Sequence, residues 1–192
     1  PFAAANAFNH AYPEHFDEVT AIVDLGAHLC TVAVVHQGEI LYSRALEQGS
    51  AKLTDALQRQ LALPYAQAEA FKTGDVADGL VPADVQRVLE EASGEMIGEL
   101  RNLINYHADQ GGLPLERLFL SGGAANSDAL CMAIAREVGL DAARLDPFRS
   151  LQGKHKAVNQ SELKTLGCQA AVAMGLGCRS TLDRLDASKE RK

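Results

Sequence analysis

Ala21-Ile22-Val23-Asp24-Leu25-Gly26-Ala27-His28-Leu29-Cys30-Thr31-Val32-Ala33-Val34-Val35 is the stretch around which this chain is organised. Ile22, Val23, Val32, Val34 and Val35 are β-branched and nearly free of charged neighbours, which predicts two strands covered on both faces. Asp24 is the exception. A carboxylate closing a buried strand, with glycine two residues on, marks a place where backbone amides can approach an anion or a metal. An ordinary hairpin with aspartate in its turn fits the same residues, and the local pattern does not separate the two.

Composition sets the outer bounds. The 192 residues are 47% hydrophobic and 22% charged, enough for one compact domain with its own core and unlike a disordered chain. A net charge of -7, with no long basic stripe before the tail, argues against a nucleic-acid surface. Cys30, Cys131, Cys168 and Cys178 form no close pair and sit in apolar segments, so they read as buried, reduced thiols. No histidine lies four residues from another, which disfavours a metal site of paired helical ligands. No apolar run approaches the roughly 20 residues that span a bilayer. The first residues lack a basic leader and carry Asn6, His10 and Glu14 early, so a cytoplasmic location is the expectation.

Outward from the organising stretch, residues 1–12 predict a helix with Phe2, Ala5 and Phe8 or Asn9 on one side, stopped at Pro13. Gln37-Gly38 predicts a hairpin turn into a third antiparallel strand over 39–48. Ser50 then caps a helix carrying Leu53, Ala56, Leu57 and Leu61, and a further helix at about 64–73 ends at Gly74. After a short acidic loop over 74–80, the longest helix starts at Pro82 and keeps Val85, Val88, Leu89, Ala92, Met96, Leu100, Leu103, Ile104 and His107 in register. Gly94 and Gly98 lie off that stripe, and Gly111-Gly112 ends the helix.

A strand over 115–121, the turn Gly122-Gly123-Ala124-Ala125 and a helix capped by Ser127 or Asp128 follow. Gly139 closes that helix, residues 142–145 form a short strand, and Asp146-Pro147-Phe148 turns away from it. A polar loop from Arg149, with Lys154, His155, Lys156 and Asn159, is the candidate mobile segment. Ser161 caps a last helix whose small residues Gly167, Ala170, Ala171, Gly175 and Cys178, beside Leu166 and Met174, suit close approach to a sheet or another backbone.

Two glycine turns therefore stand at strand ends, with Glu69-Ala70-Phe71-Lys72 on a helix between them. Taken alone, each turn serves backbone geometry as readily as a ligand. Their order carries more. Val23-Asp24-Leu25-Gly26-Ala27, then Ala68-Glu69-Ala70-Phe71-Lys72-Thr73-Gly74, then Leu120-Ser121-Gly122-Gly123-Ala124 resembles the second half of the actin-like ATPase superfamily, shared with heat-shock chaperones and sugar kinases. Within it the sequence is most similar to the PilM family of type IV pilus assembly proteins, with the FtsA family next. Residues 1–7, Asp146-Pro147-Phe148 and the run from Ala171 to Gly177 add to the likeness, which covers nearly the whole chain.

The resemblance implies an α/β fold, an actin-like (ribonuclease H-like) lobe of three antiparallel strands followed by parallel strands with flanking helices. Residues 1–18 would be a connecting helix from a missing first lobe, 19–180 the second lobe with a small helical insertion near 64–112, and 181–192 a charged tail. Asp24, Gly26 and Ala27 would form a phosphate turn for ATP, with Asp24 acting through Mg²⁺ or its waters. Glu69 and Lys72 would hydrogen-bond the ribose or the adenine edge, and Gly122, Gly123 and Ala124 would lie flat under adenine. No catalytic residue is assigned.

By the same resemblance the chain is a cytoplasmic scaffold that docks on inner-membrane pilus or secretion assembly proteins, peripheral at that membrane through them. His28, Leu29 and Cys30 stand where the family has small or hydroxyl residues, which predicts a weakened ATP site. His28 itself reads as a loop residue, since no ligand partner sits at metal spacing. The family's first half has no counterpart here, so hydrolysis by this chain alone is expected to be negligible. Two other readings stand beside this one. One is a working ATPase or kinase half, FtsA-like or sugar-kinase-like, whose first lobe is missing. The other is an isolated lobe whose uncovered apolar surface drives homo-oligomerisation.

Overall fold

The computed structural model describes residues 1–74, 81–110, 112–150 and 160–178. Its centre is a five-stranded mixed sheet in the order β3-β2-β1-β4-β5. β1 (Thr20–Leu25), β2 (Cys30–His36) and β3 (Glu39–Leu46) run antiparallel, and β4 (Arg117–Ser121) and β5 (Ala142–Arg144) join parallel to β1. Three antiparallel strands followed by parallel ones is the order that the family resemblance implies. The β2–β3 turn has φ of 49° at Gln37 and 81° at Gly38, the left-handed pair that a tight hairpin requires. β3 stops at Leu46, short of the predicted end, and the register slips between Val34 and Val35.

Helices cover both faces of the sheet, which is why β1 and β2 read as unbroken apolar runs. On one face lie α2 (Ala51–Leu61), α3 (Tyr65–Thr73), α4 (Ala83–Asp109) and α5 (Asp128–Val138), burying Val23, Leu25, Val32, Leu57, Leu100 and Ile134 with them. On the other lie α1 (Phe2–Ala11) and α6 (Gln160–Gly177), over Ile22, Val35, Phe119 and Leu145. α4 keeps the predicted register, with Val85, Val88, Met96, Leu100, Ile104 and His107 buried and open space at Gly94 and Gly98. Gly74 and Gly139, at φ of 72° and 77°, close α3 and α5 as expected.

α1 and α6 meet backbone to backbone. A Cβ placed on Gly175 would land on the Ala3 carbonyl oxygen, so the small-residue face of α6 is what admits α1. Several side chains take other places than the sequence suggests. Phe2 is 70% exposed, and the buried face of α1 is Ala4, Ala5, Ala7, Phe8 and Ala11. Leu166 is 50% exposed, because so close a helix pair leaves room only for small groups, and Cys168 is buried in the core shared with α2–α5, not at the α1 seam. Cys131 and Cys178 are half-buried, whereas Cys30 and Cys168 are buried, and all four are free thiols. α6 is already helical at Gln160, one residue ahead of Ser161. Among the described residues no helix is long and apolar enough to cross a membrane. The acidic loop beyond Gly74, the Lys154–Asn159 loop and the charged tail lie outside the described residues.

Candidate functional site

The parallel pairing of β1 with β4 sets Asp24 directly beside Ser121 at the carboxyl ends of the two strands. The buried Ser121 hydroxyl donates to Asp24 Oδ1 at 2.9 Å. Asp24 is thereby held by one oxygen. The turn that follows is fastened from outside. The Ser50 and Ala51 amides donate to the Gly26 and Ala27 carbonyls at 2.9 and 2.8 Å, and the Ser50 hydroxyl also donates to Gly26 at 3.2 Å. Ser50 stands at the cap position of α2, but its side chain serves this turn and not its own helix. Gly26 has no room for a side chain, since a Cβ there would lie 2.6 Å from the Leu29 carbonyl oxygen.

The three residues after Ala27 separate. His28 is exposed and Leu29 is 46% exposed. Cys30 pairs with Leu25 across the hairpin and turns into the core beside Met96, 3.8 Å from its sulfur. Burial, and then the charge of Asp24, push the Cys30 thiol up to about 11. The bulk that the sequence places near the turn is therefore His28 and Leu29 alone.

Glu69 and Lys72, one turn apart on α3, form an ion pair with Nζ to Oε1 at 2.7 Å. Thr54 of α2 completes it, donating its hydroxyl to Glu69 and accepting from Lys72 Nζ at 3.1 Å. Lys72 is 5% exposed and spent inside this triad, whereas Glu69 keeps a side chain 31% exposed. Burial raises the Glu69 carboxyl, but the hydrogen bonds from Lys72 and Thr54 and the charge of Lys72 together bring it below its ordinary value. α3 ends against the second glycine turn. A Cβ on Gly74 would come within 3.8 Å of the Asn126 carbonyl oxygen.

That second turn leaves β4 as Gly122 followed by one 3₁₀ turn, Gly123–Asn126. Gly122 has φ of 88°, and a Cβ there would meet the Leu25 carbonyl oxygen at 2.5 Å, so glycine is required twice over. Its amide donates to the Cys168 carbonyl of α6 at 2.8 Å. Gly123 is less confined, with Gln169 as its nearest neighbour at 3.7 Å. The methyl of Ala124 is buried, so a ligand lying on this turn would meet the backbone of Gly122 and Gly123. Ser127 caps α5 by accepting from the Leu130 amide, which settles the choice between Ser127 and Asp128.

The sequence family of the type IV pilus assembly protein PilM matches residues 2–181. This chain belongs to the PilM family. Its fold is similar to that of a solved PilM–PilN type IV pilus biogenesis complex, at 22% identity and a TM-score of 0.76, over 92% of this chain and 50% of that one. It is also similar to the ethanolamine utilization protein EutJ from Carboxydothermus hydrogenoformans, at 18% identity and 0.64, over 94% of this chain and 53% of that one. A third likeness is MreB5 of Spiroplasma citri bound to AMPPNP, at 14% identity and 0.65, over 98% of this chain and 60% of that one. The PilM-family chain thus spans about half the length of the first two of these proteins, and its α/β sheet is the actin-like one.

In this PilM-family chain the structure brings Asp24, Gly26, Ala27 and the Gly122–Ala124 turn together at one edge of the sheet. Glu69 and Lys72 reach that edge through α3 but bond to Thr54 and not to Asp24. Three contributors escape a reading of the sequence. Ser121 precedes the glycine turn and could be suspected from its place in a buried strand. Thr54, a hydroxyl on the apolar face of α2 between Leu53 and Leu57, carries a similar signal. Arg144 has none, because its contacts depend on how β5 lies against the turn. Cavities of about 540 Å³ and 650 Å³ flank β5 and α5. They contain none of the motif residues.

Proposed function

We propose that this chain is the nucleotide-binding lobe of a PilM-type scaffold, with the Asp24 turn and the Gly122 turn as two walls of one ATP site. The observation that supports this is the convergence of the two turns and the end of α3 at the carboxyl edge of the sheet, where open α/β sheets bind ligands. Asp24 would bind Mg²⁺ through water. Among the described residues no group of three or more histidines, cysteines or carboxylates surrounds it, and a single carboxylate suits a cation held largely by water and phosphate oxygens. When bound, Mg²⁺ neutralises phosphate charge. Ser121 keeps Asp24 aimed, and the turn that follows would border the phosphates, with the Gly26 amide itself directed at the Cys30 thiol. Glu69 offers its exposed oxygen to a ribose hydroxyl while Lys72 holds it in place, and the flat backbone at Gly122-Gly123 carries the base.

His28 and Leu29 crowd the phosphate end, so affinity is low and the site senses nucleotide instead of consuming it. In this reading the protein is cytoplasmic and sits at the inner membrane through pilus assembly partners, of which a PilN-type protein is the first to test. Titration of the full-length protein with Mg-ATP by calorimetry is expected to give saturable binding that Asp24→Ala removes. No heat from a folded wild type refutes the nucleotide part. Failure to co-elute with a PilN-type protein from the same organism refutes the scaffold part.

A further inference from the structure

We propose that Arg144 is a positioning residue for the nucleotide base, holding the Gly122–Asn126 turn in the shape that receives it. The proposal rests on the ATP-site reading above. Arg144 stands at the end of β5, and its guanidinium donates from Nε to the Ala125 carbonyl at 2.7 Å. Nη2 donates to the Asn126 carbonyl at 2.9 Å and to Asp128 Oδ1 at 2.5 Å. The last carbonyls of a short helical turn lack partners within it. Ala125 is fully buried, so water is a poor substitute, and its carbonyl takes a second bond from the Cys131 thiol at 3.2 Å.

The turn is therefore pinned at both ends. Gly122 is fixed by the Cys168 carbonyl and by contact with Leu25. Ala125 and Asn126 are fixed by Arg144. Gly123, between the pins, is part-exposed, and a Cβ there would meet nothing nearer than the Gln169 side chain at 3.7 Å. A planar fork can satisfy two carbonyls and a carboxylate at set angles, and a lysine ammonium cannot reproduce that geometry. Loss of the fork leaves the phosphate end untouched, because Asp24 and the Gly26 turn are fastened by Ser121 and Ser50.

The test compares Kd for Mg-ATP with Kd for Mg-tripolyphosphate, by calorimetry on the full-length protein, in wild type, Arg144→Met and Arg144→Lys. Loss of a charge-assisted hydrogen-bond set is expected to weaken Mg-ATP by at least about tenfold in Arg144→Met. Tripolyphosphate should change by less than about twofold on the same reasoning, with Arg144→Lys between the two. A merely structural role weakens both ligands together, and that result overturns the proposal. If Arg144→Met fails to fold, the same ratio in Arg144→Lys decides. Wild type binding neither ligand overturns this proposal and the ATP-site reading alike. Wild type binding Mg-ATP with an unchanged ratio in the variants overturns the role of Arg144 alone.

Discussion

Gly175→Ala adds one methyl group at the closest approach in the fold. That carbon would fall on the Ala3 carbonyl oxygen, and an ordinary carbon–oxygen contact needs about 3.3 Å or more. Both groups are backbone-anchored, so no rotamer change relieves the clash and α1 must move off α6. The layer that opens contains Ala4, Ala7, Phe8, Ala11, Phe119 and Ala171. Overpacking of a rigid site costs about 1–3 kcal/mol, and an immovable neighbour argues for the upper end. For a chain of this size about 3 kcal/mol lowers Tm by roughly 6–12 °C. Gly98→Ala is the control, because nothing lies within 4 Å of a Cβ there. It should raise stability by about 0.5–1 kcal/mol through helix propensity. Thermal unfolding followed by circular dichroism reads both. Gly175→Ala as stable as wild type would refute the claim that the α1–α6 seam is closed to any side chain.

The Glu69 carboxyl, held below its ordinary value of 4.5, contributes stability at neutral pH that is lost as pH falls below about 4.5 through its folded value. Urea unfolding between pH 7 and pH 3 should show about 1 kcal/mol of this acid sensitivity missing in Glu69→Gln, and parallel curves would contradict it. Tyr12→Phe keeps the ring contacts with Phe8 and Phe119 but removes the hydroxyl that donates to the Arg144 carbonyl and accepts from the Asp146 amide. A loss of about 1–2 kcal/mol in denaturant titration is expected. Cys30, fully buried and with its thiol pushed up to about 11, should resist a disulfide reagent at pH 8 until the protein unfolds, while half-buried Cys131 and Cys178 react first. Phosphate release from Mg-ATP by this chain alone should equal that of a heat-killed control, since one carboxylate and two turns offer too few preorganised charges for the transition state.

Periodicity made the sheet and α4 readable, because strands covered on both faces and a long apolar stripe write themselves into composition directly. The two glycine turns were readable in order but not in cause. Gly122 is required by the Leu25 backbone and by its own φ, whereas a Cβ on Gly123 would make only an ordinary contact with Gln169, a difference that two adjacent identical letters cannot carry. Ser50 illustrates a different limit. Its place before α2 marks a cap, yet its hydroxyl goes to Gly26, a choice made by which carbonyl lies nearer in space. Lys72 shows the same limit at the site: the resemblance assigns it to the ribose or the adenine edge, and its bonds to Thr54 and Glu69 depend on how α2 lies beside α3. Phe2 and Leu166 went outward because the α1–α6 distance, set by Gly175, admits only small groups, whereas Cys168 joins the core shared with α2–α5.

The seam between α1 and α6 also orders events during synthesis. α1 leaves the ribosome first and α6 last among the described elements, so at about 5–20 residues per second the alanine and Phe8 face waits on the order of 10 s for its partner. The β1–β3 hairpins can close meanwhile from near neighbours, whereas the α1–α6 contact spans nearly the whole chain and is slow by topology. For that interval the growing protein carries an uncovered apolar helix. Chaperone capture and premature association are set by the duration of that exposure, and Gly175 is the last small residue needed to end it.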